Sequence, residues 1–206
     1  MDNYYPLCKN ANYQNVVCVE SFITLDDLDK INKQLLLIPT SAALVGGATP
    51  ENEEEFEKRR LETHHTRKSN VSFLTGNDWN WLYDKLCLAV NHVNTTNYSK
   101  FLYGIEPLQY AEYDSNYRGF YGAHTDSDIV NSSISTERSL SFSVQLSAPS
   151  EYEGGDLKIY HGNTTYIGNK NLCCITFFSS NLLHEVTPVT SGFRKSLVGW
   201  VVGPRV

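Results

Sequence analysis

Cysteine is scarce and poorly spaced for cross-linking or for a metal knuckle. There are five, Cys8, Cys18, Cys87, Cys173 and Cys174, an odd number with no C-x-x-C pair. That excludes an obvious disulfide framework or zinc knuckle. Cys173 and Cys174 lie in "NLCCITFF", which reads as a buried strand with free core thiols. Positive charge is also short: 17 Lys and Arg stand against 23 Asp and Glu, for a net charge of -6. This balance disfavours broad binding to nucleic acid or to an anionic membrane. No apolar run is long enough to span a bilayer. The opening "MDNYYPLCKNANYQ" lacks the basic-then-apolar layout of a secretory signal, so the expected compartment is the cytoplasm. No internal repeat or linker divides the 206 residues, and residues 1–206 are read as a single domain.

What is present fits a protein with a sizeable core, at 41% hydrophobic and 19% charged residues. Residues 15–23, "NVVCVESFI", read as a strand. Residues 24–37 read as a helix with Thr24 as N-cap, acidic residues in its first turn, and Leu25, Leu28, Ile31 and Leu35 at helical spacing. Residues 46–69 are charged and glycine-flanked, a mobile surface segment or a short exposed helix in which His64 and His65 are solvated. Residues 76–94 form a second helix capped by Asn77 or Asp78, with Leu82, Leu86 and Val90 as its apolar stripe. Trp79 and Trp81, two apart, cannot share its inner face. From about residue 100 the chain turns into short strand-like runs broken by Gly, Pro, Asn and Ser, with "HGN" at 161–163 as a hairpin signal and His161 facing solvent. Helical support over about 1–99, then some eight strands over about 100–203, predicts a mainly β protein: a jelly-roll-like double sheet with flanking helices.

Chemistry gathers in the strand-rich half. "GFYGAHTDSD" sets His124 and Asp126 two apart, on one face of extended backbone. Such a pair is a surface ion pair, a polar turn, or two ligands of one metal. Asp126 could instead cap "DSDIV" locally, and Asp128 is a competing carboxylate. His184 ends the apolar run in "SSNLLHEV", and Arg194 follows ten residues later, after the turn residues Thr187, Pro188, Ser191 and Gly192. The spacing predicts that Arg194 opens a strand returning beside the one that carries His184. Arg194, Ser196, Val198 and Trp200 would share one face of it. Two imidazoles and one carboxylate suit a non-haem iron(II) centre with open positions. A guanidinium beyond it matches the far carboxylate of a keto-acid.

Residues from about 66 to 203 resemble the iron(II)- and 2-oxoglutarate-dependent oxygenases, most closely the prolyl-4-hydroxylase-like hydroxylases of the bacterial and phage type. The likeness rests on "RKSNVSFL", "PLQYAEYDSNYRGFYGAHTD", "RSLSFSVQLSAPSEYEGGDLKIY" and "FFSSNLLHEVTPVTSGFRKSLVGWVV". H-x-D alone is a weak signal, but H-x-D followed by "YEGGDL" and by His and Arg ten apart is specific. The resemblance implies a double-stranded β-helix with His124, Asp126 and His184 as iron(II) ligands. It implies that Arg194, with Ser196 and Tyr113, binds 2-oxoglutarate, and that Gln145 stands where relatives often carry a tyrosine of similar role. It also implies dioxygen as reactant, stimulation by ascorbate, no companion domain, and hydroxylation of an unactivated C–H bond with release of succinate and carbon dioxide. A prolyl residue in a peptide or protein is the leading substrate, with a free amino acid or another small molecule as the alternative. Asp126 argues against a halogenase, and Trp200 stands where nucleic-acid demethylases of this fold carry a second arginine. A catalytically silent jelly-roll binding module is the rival from another class. Substrate determinants are expected in residues 40–70 and 127–138.

Overall fold

The strands β1 (Val16–Val19), β2 (Ser41–Ala42), β3 (Arg67–Lys68) and β4 (Asn70–Leu74) interleave with helices α1 (Leu25–Leu35), α2 (Glu53–Thr63) and α3 (Asn80–Val93). Ten more strands follow: β5 (Gly104–Ile105), β6 (Leu108–Asp114), β7 (Phe120–His124), β8 (Thr136–Gln145), β9 (Tyr152–Gly154), β10 (Leu157–His161), β11 (Thr164–Ile167), β12 (Ile175–Ser179), β13 (Leu183–Val186) and β14 (Val189–Pro204). The structure, a computed structural model, describes residues 14–45, 50–127 and 136–205. Among them no helix is long and apolar enough to cross a membrane.

The strands form two sheets, the double-stranded β-helix. The major sheet runs β1-β12-β8-β14-β6-β4-β2, with β5 and β9 also paired to β14; the minor sheet runs β11-β10-β13-β7-β3. β8 shows why the sheets face each other as they do. In "SLSFSVQL" the apolar Leu140, Phe142 and Val144 point outward into a core shared with α1 and α3, packing with Ile31, Leu82 and Leu86. The intervening Ser141, Ser143 and Gln145 point inward, towards the minor sheet. The polar side of the strand is therefore the inner one.

α1 begins as its sequence indicates. The Thr24 hydroxyl accepts from the Asp27 amide at 3.1 Å, and the Asp27 carboxylate accepts from the Thr24 amide at 2.9 Å, a capping box. Leu28, Ile31 and Leu35 are buried, whereas Leu25, in the first turn, is exposed. α3 buries Leu82, Leu86 and Val90 as its periodicity requires. Its start differs from the expectation: neither Asn77 nor Asp78 caps it. Both belong to a 3₁₀ turn, Asn77–Trp79, that runs directly into the helix, so the preceding turn takes the place of a capping side chain. Trp79 is buried; Trp81 is half-buried, with the Lys30 ammonium 4.0 Å above its ring. Within residues 46–69 the short exposed helix is realised as α2, with Asn52 accepting from the Glu55 amide; residues 46–49 lie outside the described residues. Cys173 and Cys174 are buried free thiols just ahead of β12, and Cys173 has positive φ. The N-terminal part is more than helical support, since β1 pairs with β12, β4 with β6 and β3 with β7.

One expected pairing is not formed. β14 does not lie beside β13. β13 pairs with β10 and β7 in the minor sheet, while the part of β14 carrying Arg194 pairs with β6 in the major one. The chain crosses between sheets at Thr187 and Pro188. Arg194 and His184 therefore reach the interior from opposite walls rather than from adjacent strands.

Candidate metal and co-substrate site

His124 ends β7 and His184 sits in β13, directly opposite it in the register. Asp126 follows β7, its backbone amide donating to the Ser180 carbonyl at 2.9 Å. The ligand atoms of His124, Asp126 and His184 all lie within 4.8 Å of one another. Nε2 of His124 is 3.6 Å from Asp126 Oδ1, and Nε2 of His184 is 3.4 Å from Oδ2. Each imidazole is oriented from behind: His124 Nδ1 is 2.8 Å from the Gly122 carbonyl and His184 Nδ1 is 2.9 Å from the Leu182 carbonyl. A carbonyl only accepts, so each Nδ1 carries a proton and each ring turns its Nε2 edge towards the carboxylate.

Asp126 is almost fully buried, which by itself would raise its carboxyl pKa. Contacts from His124, His184 and Ser141 outweigh burial and hold it at about 2. The Ser141 hydroxyl donates to Oδ2 at 2.7 Å and is itself 2.9 Å from Ser180 Oγ. Burial, the largest influence, keeps the His184 imidazole below its usual pKa and so favours its neutral form. Two imidazole Nε2 atoms and one carboxylate thus converge on a single point from three sides. The donor set fits iron(II).

Across the chamber, Arg194 is 2% exposed. It pairs in register with Tyr113, whose ring centroid is 5.3 Å from the guanidinium carbon. Its Nη1 donates to Ser196 Oγ at 3.3 Å, while Nε has no partner among the described residues. Gln145 donates through Nε2 to the Tyr152 hydroxyl at 2.6 Å, and its Oε1 is unpartnered among the described residues. Tyr113, His124, Asp126, His184, Arg194 and Ser196 line one chamber, and Gln145 lines a recess that opens on Arg194 from the other side. Val198 and Trp200 join Arg194 and Ser196 on the chamber wall, as their alternation along the strand requires. Gly155 explains the glycine pair of "YEGGDL": at φ +59, a Cβ there would fall 2.9 Å from Arg194 Cδ. Outside the chamber, a cleft of about 780 Å³ is lined by Ser41, Leu44, Val45, Pro50 and Phe56 on one side and by Arg67, Tyr121, Arg138 and Trp200 on the other.

His65 and His161 are exposed and His64 is half-buried, and none belongs to the cluster. Asp128 lies outside the described residues. Sequence reasoning missed Ser141, which anchors Asp126, and Tyr121, whose ring stacks on His124 at 3.6 Å between centroids. The inward side of the alternation in "SLSFSVQL" held the signal for Ser141. Period-two alternation sets Tyr121 and His124, three apart, on opposite faces, and the register shift of β7 against β13 brings their rings together.

This fold and this cluster define a double-stranded β-helix protein with a two-histidine, one-carboxylate centre. A family profile described as the 2OG-Fe(II) oxygenase superfamily matches residues 108–202. That stretch, just under half of the chain, carries the His124, Asp126 and His184 cluster and Arg194, and is similar to that superfamily. A PKHD-type hydroxylase of Gloeothece citriformis is 37% identical over 81 residues, 39% of this chain and 36% of that protein. One from Crocosphaera subtropica is 31% identical over 119 residues, 57% of this chain and 46% of that protein. The matches thus span less than half the length of these relatives. In fold, the chain resembles a Pseudomonas putida prolyl-4-hydroxylase (TM-score 0.64, 16% identity, 95% of each chain covered). It also resembles a Trichoplax adhaerens prolyl hydroxylase solved with a peptide fragment of the hypoxia inducible factor oxygen degradation domain (TM-score 0.69, 15% identity, 93% of this chain and 84% of that one).

Proposed function

We propose that the protein is an Fe(II)- and 2-oxoglutarate-dependent dioxygenase that hydroxylates an unactivated C–H bond, with a prolyl residue of a peptide or protein as substrate. The observation that carries this reading is a buried Arg194, without a carboxylate partner among the described residues, in the same chamber as the His124, Asp126 and His184 cluster. In this reading the two Nε2 atoms and the Asp126 carboxylate hold iron(II). When bound, the metal supplies the dioxygen chemistry that converts 2-oxoglutarate to succinate and carbon dioxide, with one oxygen atom passing to succinate and one to the substrate. The protein's own residues orient and desolvate. Arg194 takes the distal carboxylate of 2-oxoglutarate, with Ser196 and Tyr113 beside it and Gln145 closing the far end. Ser141 fixes the Asp126 carboxylate, and the backbone carbonyls of Gly122 and Leu182 fix the imidazole tautomers.

The test is a screen of prolyl peptides and small metabolites for substrate-stimulated succinate release, with the product weighed for one added oxygen atom. Ascorbate is included and omitted in parallel, since the reading expects it to stimulate. Protein that binds iron but never consumes 2-oxoglutarate with any substrate would be a silent binding module instead.

A further inference from the structure

Two arginines are buried among the described residues, Arg194 and Arg67, and neither has a carboxylate partner there. Arg194 is accounted for above. Arg67 is not. It sits in β3, paired in register with Tyr121, and its guanidinium carbon lies 4.4 Å from the centroid of the Tyr121 ring. That same ring stacks on His124. Arg67 is therefore one aromatic ring away from the metal cluster. It lines both the inner chamber and the outer cleft, so it stands at the neck between them.

Its partners are neutral. Nε donates to Ser69 Oγ at 2.7 Å and Nη2 to Gln109 Oε1 at 2.9 Å, while Nη1 has no partner among the described residues. These bonds aim the fork but leave its charge unbalanced. A buried cation is costly when no anion faces it. Arg138, in the same cleft, shows the contrast: Glu106 grips it through three contacts of 2.6 to 3.1 Å. A guanidinium kept only for structure would be expected to look like Arg138.

We infer that Arg67 is a specificity residue and that the substrate carries a carboxylate, bound by Arg67 at the neck while the reacting C–H bond faces the metal cluster. This rests on the oxygenase reading above and narrows its substrate class. A single uncompensated guanidinium suits a monoanion; a phosphate dianion would call for a second free cation at the neck. The carboxylate is either a terminal one, on an amino acid or a chain end, or the side chain of an acidic residue beside the oxidised one.

Binding of matched acid and amide probes to the anaerobic, Fe(II)- and 2-oxoglutarate-loaded protein, followed by calorimetry, tests this. N-acetylproline against N-acetylprolinamide reads the terminal source. Capped, amidated proline–glutamate against proline–glutamine reads the side-chain source. The acid of at least one pair is expected to bind roughly tenfold or more tightly than its amide. Arg67→Gln should level the two, and Arg67→Lys should restore part of the preference. A circular-dichroism melt of each variant checks that it is folded; if Arg67→Gln fails to fold, Arg67→Lys and the wild-type acid–amide comparison carry the test. Equal binding of acid and amide in both pairs, or no binding of any probe, overturns the assignment. So does a preference that survives in folded Arg67→Gln. Loss of 2-oxoglutarate binding in that variant also overturns it, since Arg67 would then hold the co-substrate. Product mass separates the two readings: a clear acid preference with no prolyl hydroxylation refutes the prolyl substrate and supports the role of Arg67.

Discussion

Asp126 brings the cluster its only negative charge, and three neighbours keep it ionised despite burial. Asp126→Ala should therefore abolish succinate production and weaken iron binding, measured by metal titration; near-normal turnover would sink the ligand assignment. Gly155 tests the other wall. Its conformation is left-handed and its α-carbon backs the Arg194 stem, so Gly155→Ala displaces the guanidinium. Misplacing one charge-assisted hydrogen bond corresponds to a rise of roughly tenfold or more in KM for 2-oxoglutarate, with iron affinity unchanged. A third residue stands on the edge strand of the major sheet. Cys18 on β1 is held below the usual thiol range, chiefly by the neighbouring Cys174, whose influence outweighs burial. A lowered pKa means more thiolate near neutrality. Alkylation of Cys18 by iodoacetamide, followed by site-resolved mass spectrometry, should have its pH midpoint below that of an ordinary thiol, and Cys174→Ala should move that midpoint upward.

At the scale of elements, local rules set what could be read ahead of the structure. The capping box at Thr24 is legible because its two partners are three residues apart. Thr24→Ala should cost about 1 kcal/mol, a fall of about 2–4 °C in Tm by calorimetry. The alternation of β8 and β14 was legible for the same reason, and it correctly grouped Arg194, Ser196, Val198 and Trp200. The H-x-D spacing placed His124 and Asp126 on one side, and their meeting with His184 followed from the family resemblance. What stayed hidden was non-local. Period-two patterning tells which side chains along a strand agree, not which sheet the strand joins, so the crossing at Thr187 and Pro188 was read as a simple return. The start of α3 misled because Asn and Asp favour caps and tight turns alike, and a 3₁₀ turn took both residues. Arg67 lay in a stretch quoted only for its likeness to relatives. Its importance depends on the neutrality of Ser69 and Gln109, and Gln109 comes from a strand far along the chain.

Taken as a whole, the molecule turns its major sheet's polar side inward and its apolar side out to the helices. Cohesion comes from the helix-facing side, through Leu82, Leu86, Phe142, Phe177 and their neighbours, and chemistry occupies the other. The order of the strands adds a constraint in time. β14 comes last in the sequence yet lies between β8 and β6, at the centre of the major sheet. During synthesis, a nascent chain has exposed every other strand of this sheet before the one that joins its halves leaves the ribosome. Until then β6 and β8 each present an unsatisfied edge, and the major-sheet wall of the chamber is incomplete, since Arg194 itself arrives on the closing strand. We expect ribosome-bound chains arrested before Val189 has emerged to be cut readily by protease, and chains arrested beyond Pro204, with a linker long enough to clear the exit tunnel, to resist it. Resistance in the shorter chains would mean that the two halves of the sheet hold together without their middle.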